Sequence, residues 1–215
     1  MIISHGRRYI FVHAPKTAGT SMALALEARA MKDDIMLGDT PKAVKRRRRL
    51  KDVQTRGRLW KHATLADIDG LVTPQELDQL FAFTLVRNPW DRMVSYYHWL
   101  RAQSFDHPAV ALAQQLDFQA FAQSCLITSS MQASPARHYM TDATGQERCD
   151  AYIRIEHFAA DAAPLFAHLG FDLHLERTNT SERAQDFRDY YDSATRDAVA
   201  KACAEDIDRF GYTFD

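Results

Sequence analysis

The chain has 215 residues, 46% hydrophobic and 26% charged, with 27 basic and 28 acidic side chains and a net charge of −1. These proportions suit one soluble globular domain with a sizeable core, and no apolar run approaches the ~20 residues of a membrane span. Cys125, Cys149 and Cys203 are an odd number without metal-ligand spacing, and residues 1–8 lack a signal-peptide apolar region, so a cytoplasmic protein without a disulfide framework or metal is expected.

Residues 9–13 (YIFVH) are short, apolar and rich in β-branched and aromatic side chains, which predicts a buried strand. A loop, APKTAGTS, follows, and then an Ala- and Leu-rich helix over residues 22–31, with Thr20 or Ser21 as its expected N-cap. Residues 33–61 are polar and basic. Within them, residues 42–61 hold ten basic side chains against one acid, Asp52, a local charge of +9 that leaves −10 for the rest. Such a block reads as a solvated segment or as an anion-binding surface.

Further on, Thr73, Pro74 and Glu76 have the spacing of a capping box that starts a short helix. Residues 81–86 (FAFTLV) form a second buried strand, and residues 90–103 a long helix whose Trp90, Met93, Val94, Tyr97 and Leu100 share one core face. Residues 104–150 read as helices and loops. Residues 152–155 (YIRI) suggest a third strand, and 158–169 a helix. Ser193 is the expected cap of a closing helix that carries Val199, Cys203, Ile207 and Phe210 and stops at Gly211. Strands alternating with helices predict an α/β fold with a central, mostly parallel sheet.

The segment 15–21 joins a buried strand to a helix N-terminus, where backbone N–H groups carry about half a positive charge. Gly19 permits close backbone approach, Thr17, Thr20 and Ser21 add hydroxyls, and Lys16 adds a point charge. This chemistry suits a phosphate or sulfate. It is not a Walker A loop, because Lys16 precedes Gly19 by three residues, and Arg87 stands where a magnesium carboxylate would follow the second strand. Arg87 ends that strand and Ser95 lies two helical turns on, so the two can offer a guanidinium fork and a hydroxyl to one further phosphate. Taken singly, Arg87 reads equally as a surface ion pair and Ser95 as an exposed helix position.

Taken together, FVHAPKTAGTS and FTLVRNPWDRMVSYYHW resemble the two nucleotide motifs of sulfotransferases that use 3′-phosphoadenosine 5′-phosphosulfate (PAPS). The likeness is to the carbohydrate-type branch, which includes bacterial members. Weaker similarity continues through Lys61-His62-Ala63-Thr64, Tyr152-Ile153-Arg154-Ile155-Glu156, Thr178-Asn179-Thr180-Ser181 and Arg209-Phe210-Gly211-Tyr212. The resemblance implies a single P-loop-like, three-layer sulfotransferase domain over residues 1–215. Residues 32–61 and 104–150 would then lie on the acceptor side, and the acceptor would be a hydroxyl of a carbohydrate or glycolipid. It assigns Pro15, Lys16, Thr17, Ala18, Gly19, Thr20 and Ser21 to the phosphosulfate and Arg87 and Ser95 to the 3′-phosphate. Arg177, Asn179 and Ser181 would close over the nucleotide. Arg92 also matches the motif, and reads at least as well as a structural ion pair.

Sulfuryl transfer needs a base for the acceptor hydroxyl, and histidine titrates near working pH. The resemblance places a catalytic histidine at His62, although the His-Ala-Thr context matches only in part. His13 reads as a structural residue at the sheet edge, His98 as bordering the site, and Glu156 as structural. Lys16 would neutralise charge on the leaving oxygen. The competing readings are a P-loop phosphotransferase, which would need a Walker lysine and a magnesium carboxylate that this sequence does not have in place, a nucleic-acid binder built on residues 42–61, and a binding-only relative. Trp60 is the single aromatic in that basic block, which argues against a base-stacking platform and against nucleic acid as the partner of these residues. The oligomeric state stays open, a homodimer included.

Overall fold

The computed structural model describes residues 1–175, 184 and 186–215. They divide into two compact units, Met1–Val86 with Ala136–Thr178, and Arg87–Pro135 with Asn179–Asp215. Along the chain the elements begin β1 (Ile2–Ser4), β2 (Tyr9–Val12), α1 (Gly19–Ala28), β3 (Ile35–Met36), α2 (Pro41–Arg46), α3 (Pro74–Leu77) and β4 (Phe81–Val86). There follow α4 (Pro89–Arg101), α5 (Pro108–Gln115), α6 (Phe118–Gln123), α7 (Cys125–Gln132), α8 (Ala136–Met140) and β5 (Ala151–Arg154). The last helices are α9 (Phe158–Asp161), α10 (Ala163–Leu169), α11 (Ser193–Ala202) and α12 (Ala204–Phe210).

The first unit is built on a five-stranded sheet of order β3-β1-β2-β4-β5. β2, β4 and β5 run parallel, with Val12 opposite Thr84 and Val86 opposite Arg154. β1 and β3 add an antiparallel edge that the sequence pattern does not announce. Side chains alternate between the two faces of a strand, so Tyr9, Phe11, Phe83 and Leu85 pack with Met22 and Leu26 of α1. Ile10, Val12 and Ala82 point the other way, toward Ala63, Leu65, Ile68, Leu77 and Tyr139. Both faces are therefore covered, giving three layers, and this is why FAFTLV reads as a continuous apolar run. Its one polar residue, Thr84, is fully buried and donates its hydroxyl to the Val12 carbonyl at 2.8 Å, tying β4 to β2.

The Thr73–Glu76 capping box forms as its spacing predicts. The helix expected over 158–169 is broken into α9 and α10, because Pro164 in the first turn of α10 has no N–H to continue the ladder. β5 lies one residue earlier than the pattern suggests.

The second unit is helical. Trp90, Met93, Val94, Tyr97 and Leu100 of α4 are all buried, as their spacing predicts, and pack with Val110, Phe118, Phe121, Ile127 and Val199. Asn88 caps α4 by accepting from the Trp90 and Asp91 N–H groups, and Pro89 occupies the first turn. The Trp90 indole donates to the Arg196 carbonyl at 3.0 Å, and the Tyr97 hydroxyl to the Leu116 carbonyl at 2.9 Å. The closing helix is capped by Asp192 and not by Ser193: the carboxylate accepts from the Thr195 N–H at 2.7 Å. That helix is divided at Cys203, and α12 ends at Gly211 in the left-handed conformation. Among the described residues no helix is long and apolar enough to cross a membrane.

Candidate functional site

The first unit places the loop 15–21 at the C-terminal end of β2, beside the parallel end of β4. Lys16 and Ala18 both take left-handed backbone conformations, at φ 64° and 60°. Left-handed non-glycine residues cost of order 1–3 kcal/mol each and cluster where a loop is shaped around a ligand. α1 starts at Gly19 with Ala18 at its N-cap position and no side-chain cap, in place of the expected Thr20 or Ser21. The two left-handed residues curl the chain so that the helix begins before either hydroxyl can reach back. Ala18 offers the first-turn N–H groups no side-chain cap, and no carboxylate occurs in residues 15–21. A helix N-terminus with an adjoining lysine and no carboxylate nearby suits an anion such as a phosphate or sulfate. Thr17 instead braces the loop, its buried hydroxyl donating to the Ala14 carbonyl at 2.9 Å and holding the turn closed. Thr20 is half-buried, and Ser21 is buried.

His13, two residues before Pro15 opens the loop, is 6% exposed, and its ring stacks on Phe11. The same ring lies against Gly19 so closely that any Cβ there would overlap it. Gly19 is required by space, since the backbone passes directly over an imidazole.

His62 arrives from the far end of the basic excursion. Its Nδ1 lies 2.8 Å from the carbonyl oxygen of His13, and the two rings meet edge to face at 4.6 Å. A carbonyl oxygen can only accept, so Nδ1 carries the proton and Nε2 keeps its lone pair. No described residue hydrogen-bonds Nε2. Burial, with the neighbouring Lys61 charge, pushes the His62 pKa down to about 4 against a supporting contribution from the His13 carbonyl. Burial likewise holds His13 well below the usual histidine range. Both rings are neutral near pH 7. Lys61 itself pairs with Asp39 at 2.8 Å.

In the second unit Arg87 precedes the N-cap of α4. Its Nε and Nη2 both donate to one oxygen of Asp91, at 2.8 and 2.6 Å. This partner was missed in the sequence, although the four-residue spacing was its signal. Ser95 is half-buried two turns along α4. Arg92 and Asp206 are both buried and lie 3.8 Å apart, in keeping with the structural ion pair. His98 packs edge-on against Tyr190, and Glu156 is exposed in a 3-10 turn of the first unit.

Much of the basic block is engaged with its own unit. Lys42 donates its backbone N–H to the Glu27 carboxylate and its ammonium to the Glu27 carbonyl. Arg46 donates to the Asp34 carbonyl at 3.0 Å, Arg49 to that of Lys32 at 2.7 Å, and Arg56 to that of Ala143 at 2.9 Å. Lys45, Arg48 and Lys51 are exposed. Among the described residues no group of three His, Cys, Asp or Glu side chains could hold a metal ion. Arg177, Asn179 and Ser181 lie outside the described residues.

Compared with known proteins, residues 1–213 match the description of the sulfotransferase family. Among solved structures, mouse sulfotransferase SULT7A1 complexed with PAP is similar at 15% identity and a TM-score of 0.48, over 95% of this chain and 85% of that one. No curated protein matches the chain.

Proposed function

The chain belongs to the sulfotransferase family, and on that premise we propose that it moves a sulfuryl group from PAPS to a carbohydrate hydroxyl, with His62 as general base. The observation that carries this reading is the hydrogen bond from His62 Nδ1 to the His13 carbonyl, which leaves Nε2 as a neutral proton acceptor in the same unit as the phosphate loop. The family match over residues 1–213 supports reading the whole chain as one sulfotransferase domain.

When bound, PAPS supplies the sulfuryl group and a phosphate leaving group. Each residue has a part. The N-terminus of α1 and Lys16 hold the phosphosulfate and offset charge that develops on the bridging oxygen as its bond to sulfur breaks. Preorganised donors of this kind contribute about 10²–10³ in rate. His62 Nε2 takes the acceptor hydroxyl proton as oxygen attacks sulfur from the side opposite the leaving group. The His13 carbonyl receives the Nδ1 proton throughout and stabilises the imidazolium that forms. Arg87, oriented by Asp91, and Ser95 hold the 3′-phosphate; Arg177, Asn179 and Ser181 are assigned to closure over the nucleotide by resemblance. The acceptor is assigned to the carbohydrate class on the same ground, with residues 32–61 and 104–150 on its side. Three free cysteines fit a cytoplasmic setting.

The test is incubation with sulfur-labelled PAPS and fractionated cell extract, followed by identification of the labelled product. Calorimetry with 3′,5′-adenosine bisphosphate (PAP) and with ATP plus magnesium accompanies it. Label in a saccharide and preference for PAP support the reading. Preference for magnesium-ATP with no labelled product overturns it.

A further inference from the structure

α2 (Pro41–Arg46) and the 3-10 turn that continues it (Arg47–Leu50) make one short helical rod with two unlike sides. The inner side is answered by the protein. Ala43 is buried, Lys42 donates its N–H and its ammonium to Glu27, and Arg46 donates to the Asp34 carbonyl. The outer side carries Val44, Lys45, Arg48 and Lys51, all exposed. Steps of four and three residues set Val44, Arg48 and Lys51 on one stripe.

A second segment adjoins this rod. Arg46 and Arg49 donate to the carbonyls of Asp34 and Lys32 at 3.0 and 2.7 Å, which fastens the turn after α1 to it. That turn exposes Met31 and Lys32. Met31 is 38% exposed and Val44 51%, so two aliphatic side chains stand in water among the cations. Residues 29–33 and 44–52 expose seven cations against two carboxylates, Asp33 and Asp52. No described carboxylate lies within ion-pair distance of Arg29, Lys32, Lys45, Arg48 or Lys51. Arg7 and Arg29, 5.0 and 4.9 Å from the ring centre of Phe171, extend the positive surface past the end of α1. α1 is ten residues long, about 15 Å, so this surface and the loop 15–21 stand at its opposite ends.

Cations spread over two segments, with aliphatic side chains exposed among them, match a surface that offers negative headgroups over an apolar layer. We propose that this face rests on an anionic phospholipid bilayer. Val44 and Met31 lie at the headgroup boundary, and Lys32, Lys45, Arg48 and Lys51 meet the lipid phosphates and carboxylates. A soluble polyanion would use the cations and leave both aliphatic side chains in water. A neutral bilayer would take the aliphatic side chains and leave the charge unanswered. An anionic bilayer satisfies both. The loop 15–21 stands about 15 Å away along α1 and is left uncovered. This inference uses neither the donor reading nor the reading of His62 as the base.

The full chain is sedimented with vesicles of phosphatidylcholine alone and of phosphatidylcholine with roughly 30% phosphatidylserine. It is expected on the mixed vesicles and not on the neutral ones, with binding that falls as salt rises. The triple variant Lys45→Gln, Arg48→Gln, Lys51→Gln should bind the mixed vesicles about 100-fold more weakly, at about fivefold per cation. Val44→Ser keeps every charge and should still lose about threefold or more on the vesicles, while its affinity for inorganic polyphosphate stays that of the wild type. All four side chains are exposed, and urea melts of the variants should match the wild type. No binding to the mixed vesicles, equal binding to the neutral ones, or unchanged binding by the triple variant overturns the proposal. Unchanged vesicle affinity in Val44→Ser overturns the bilayer as occupant and puts a soluble polyanion in its place. PAP is absent from these measurements, so a failure of the donor reading is seen separately, by calorimetry.

Discussion

His13 and His62, 49 residues apart in the chain, are joined by a 2.8 Å hydrogen bond from the Nδ1 of His62 to the main-chain carbonyl of His13. The carbonyl is the last but one before the loop 15–21, so the same residue that meets Gly19 with its ring sets the tautomer of the proposed base with its backbone.

Replacing His62 by Gln should remove proton acceptance while leaving the loop intact. Turnover is expected to fall by about 10²–10⁴, with PAP affinity within about twofold of wild type. Single-turnover rates and calorimetry check this; undiminished turnover would remove His62 from the role. Because the His62 pKa lies at about 4, kcat/KM should stay level across neutral pH and decline only as Nε2 becomes protonated toward pH 4.

The same shift acts on stability. His62 is neutral in the folded chain down to about pH 4, whereas an unfolded histidine takes up a proton near 6.5. Between those values the unfolded state binds more protons, so the His62 contribution to stability is full above about pH 6.5 and is lost as pH falls toward 4. His13, lowered in the same direction, adds to the slope. Urea melts at pH 7.5 and 5 should show the loss, and His62→Gln should reduce it by the His62 share.

Gly19→Ala should disable the loop through space alone, since its Cβ would overlap the His13 ring. Overpacking of this kind costs about 1–3 kcal/mol, and PAP affinity is expected to drop by more than about tenfold. His13→Ala in the same chain makes room for the methyl group and keeps the main-chain carbonyl. The double variant should recover part of the lost affinity by calorimetry. No recovery would show that Gly19 is needed for a reason other than the ring.

Arg87→Ala should weaken PAP by about 10–100-fold, the range for hydrogen bonds to a charged group, while barely changing affinity for adenosine 5′-phosphosulfate. Equal losses for the two nucleotides would argue that Arg87 shapes the start of α4 through Asp91 and does not meet the 3′-phosphate.

Arg46→Ala should lower stability by about 1–2 kcal/mol, because its guanidinium answers the carbonyl of the buried Asp34. Lys45→Ala, at an exposed neighbouring position, should stay within about 0.5 kcal/mol. Equal effects in urea melts would restore a uniformly solvated basic segment.

Several elements were legible because their causes are local. The run YIFVH, the 3.6-residue spacing along α4 and the Thr73–Glu76 box each depend on residues within one or two turns, and each formed as read. Caps were less legible. Ser193 and Asp192 compete one residue apart, and the carboxylate prevailed; Thr20 and Ser21 were passed over because Lys16 and Ala18 turn left-handed. The edge strands β1 and β3 escaped because three and two residues carry too little pattern, and their partners lie elsewhere in the chain. The arginine run also misled as a single block: its charges are uniform in sequence, but Arg46 and Arg49 reach carbonyls while Arg48 is exposed.

By itself the sequence determined the strand–loop–helix that carries Lys16 and Gly19, the core face of α4 and, through the two motifs, the sulfotransferase family. Periodicity and backbone chemistry act over a few residues and leave a mark in the order of the letters. Only the tertiary structure decided that the ring of His13 sits over Gly19, that its carbonyl assigns the proton on His62, and that Trp60 stands exposed against that imidazole. Those are contacts between segments brought together by burying both faces of the sheet, and hydrogen bonding across such distances has no periodicity to read.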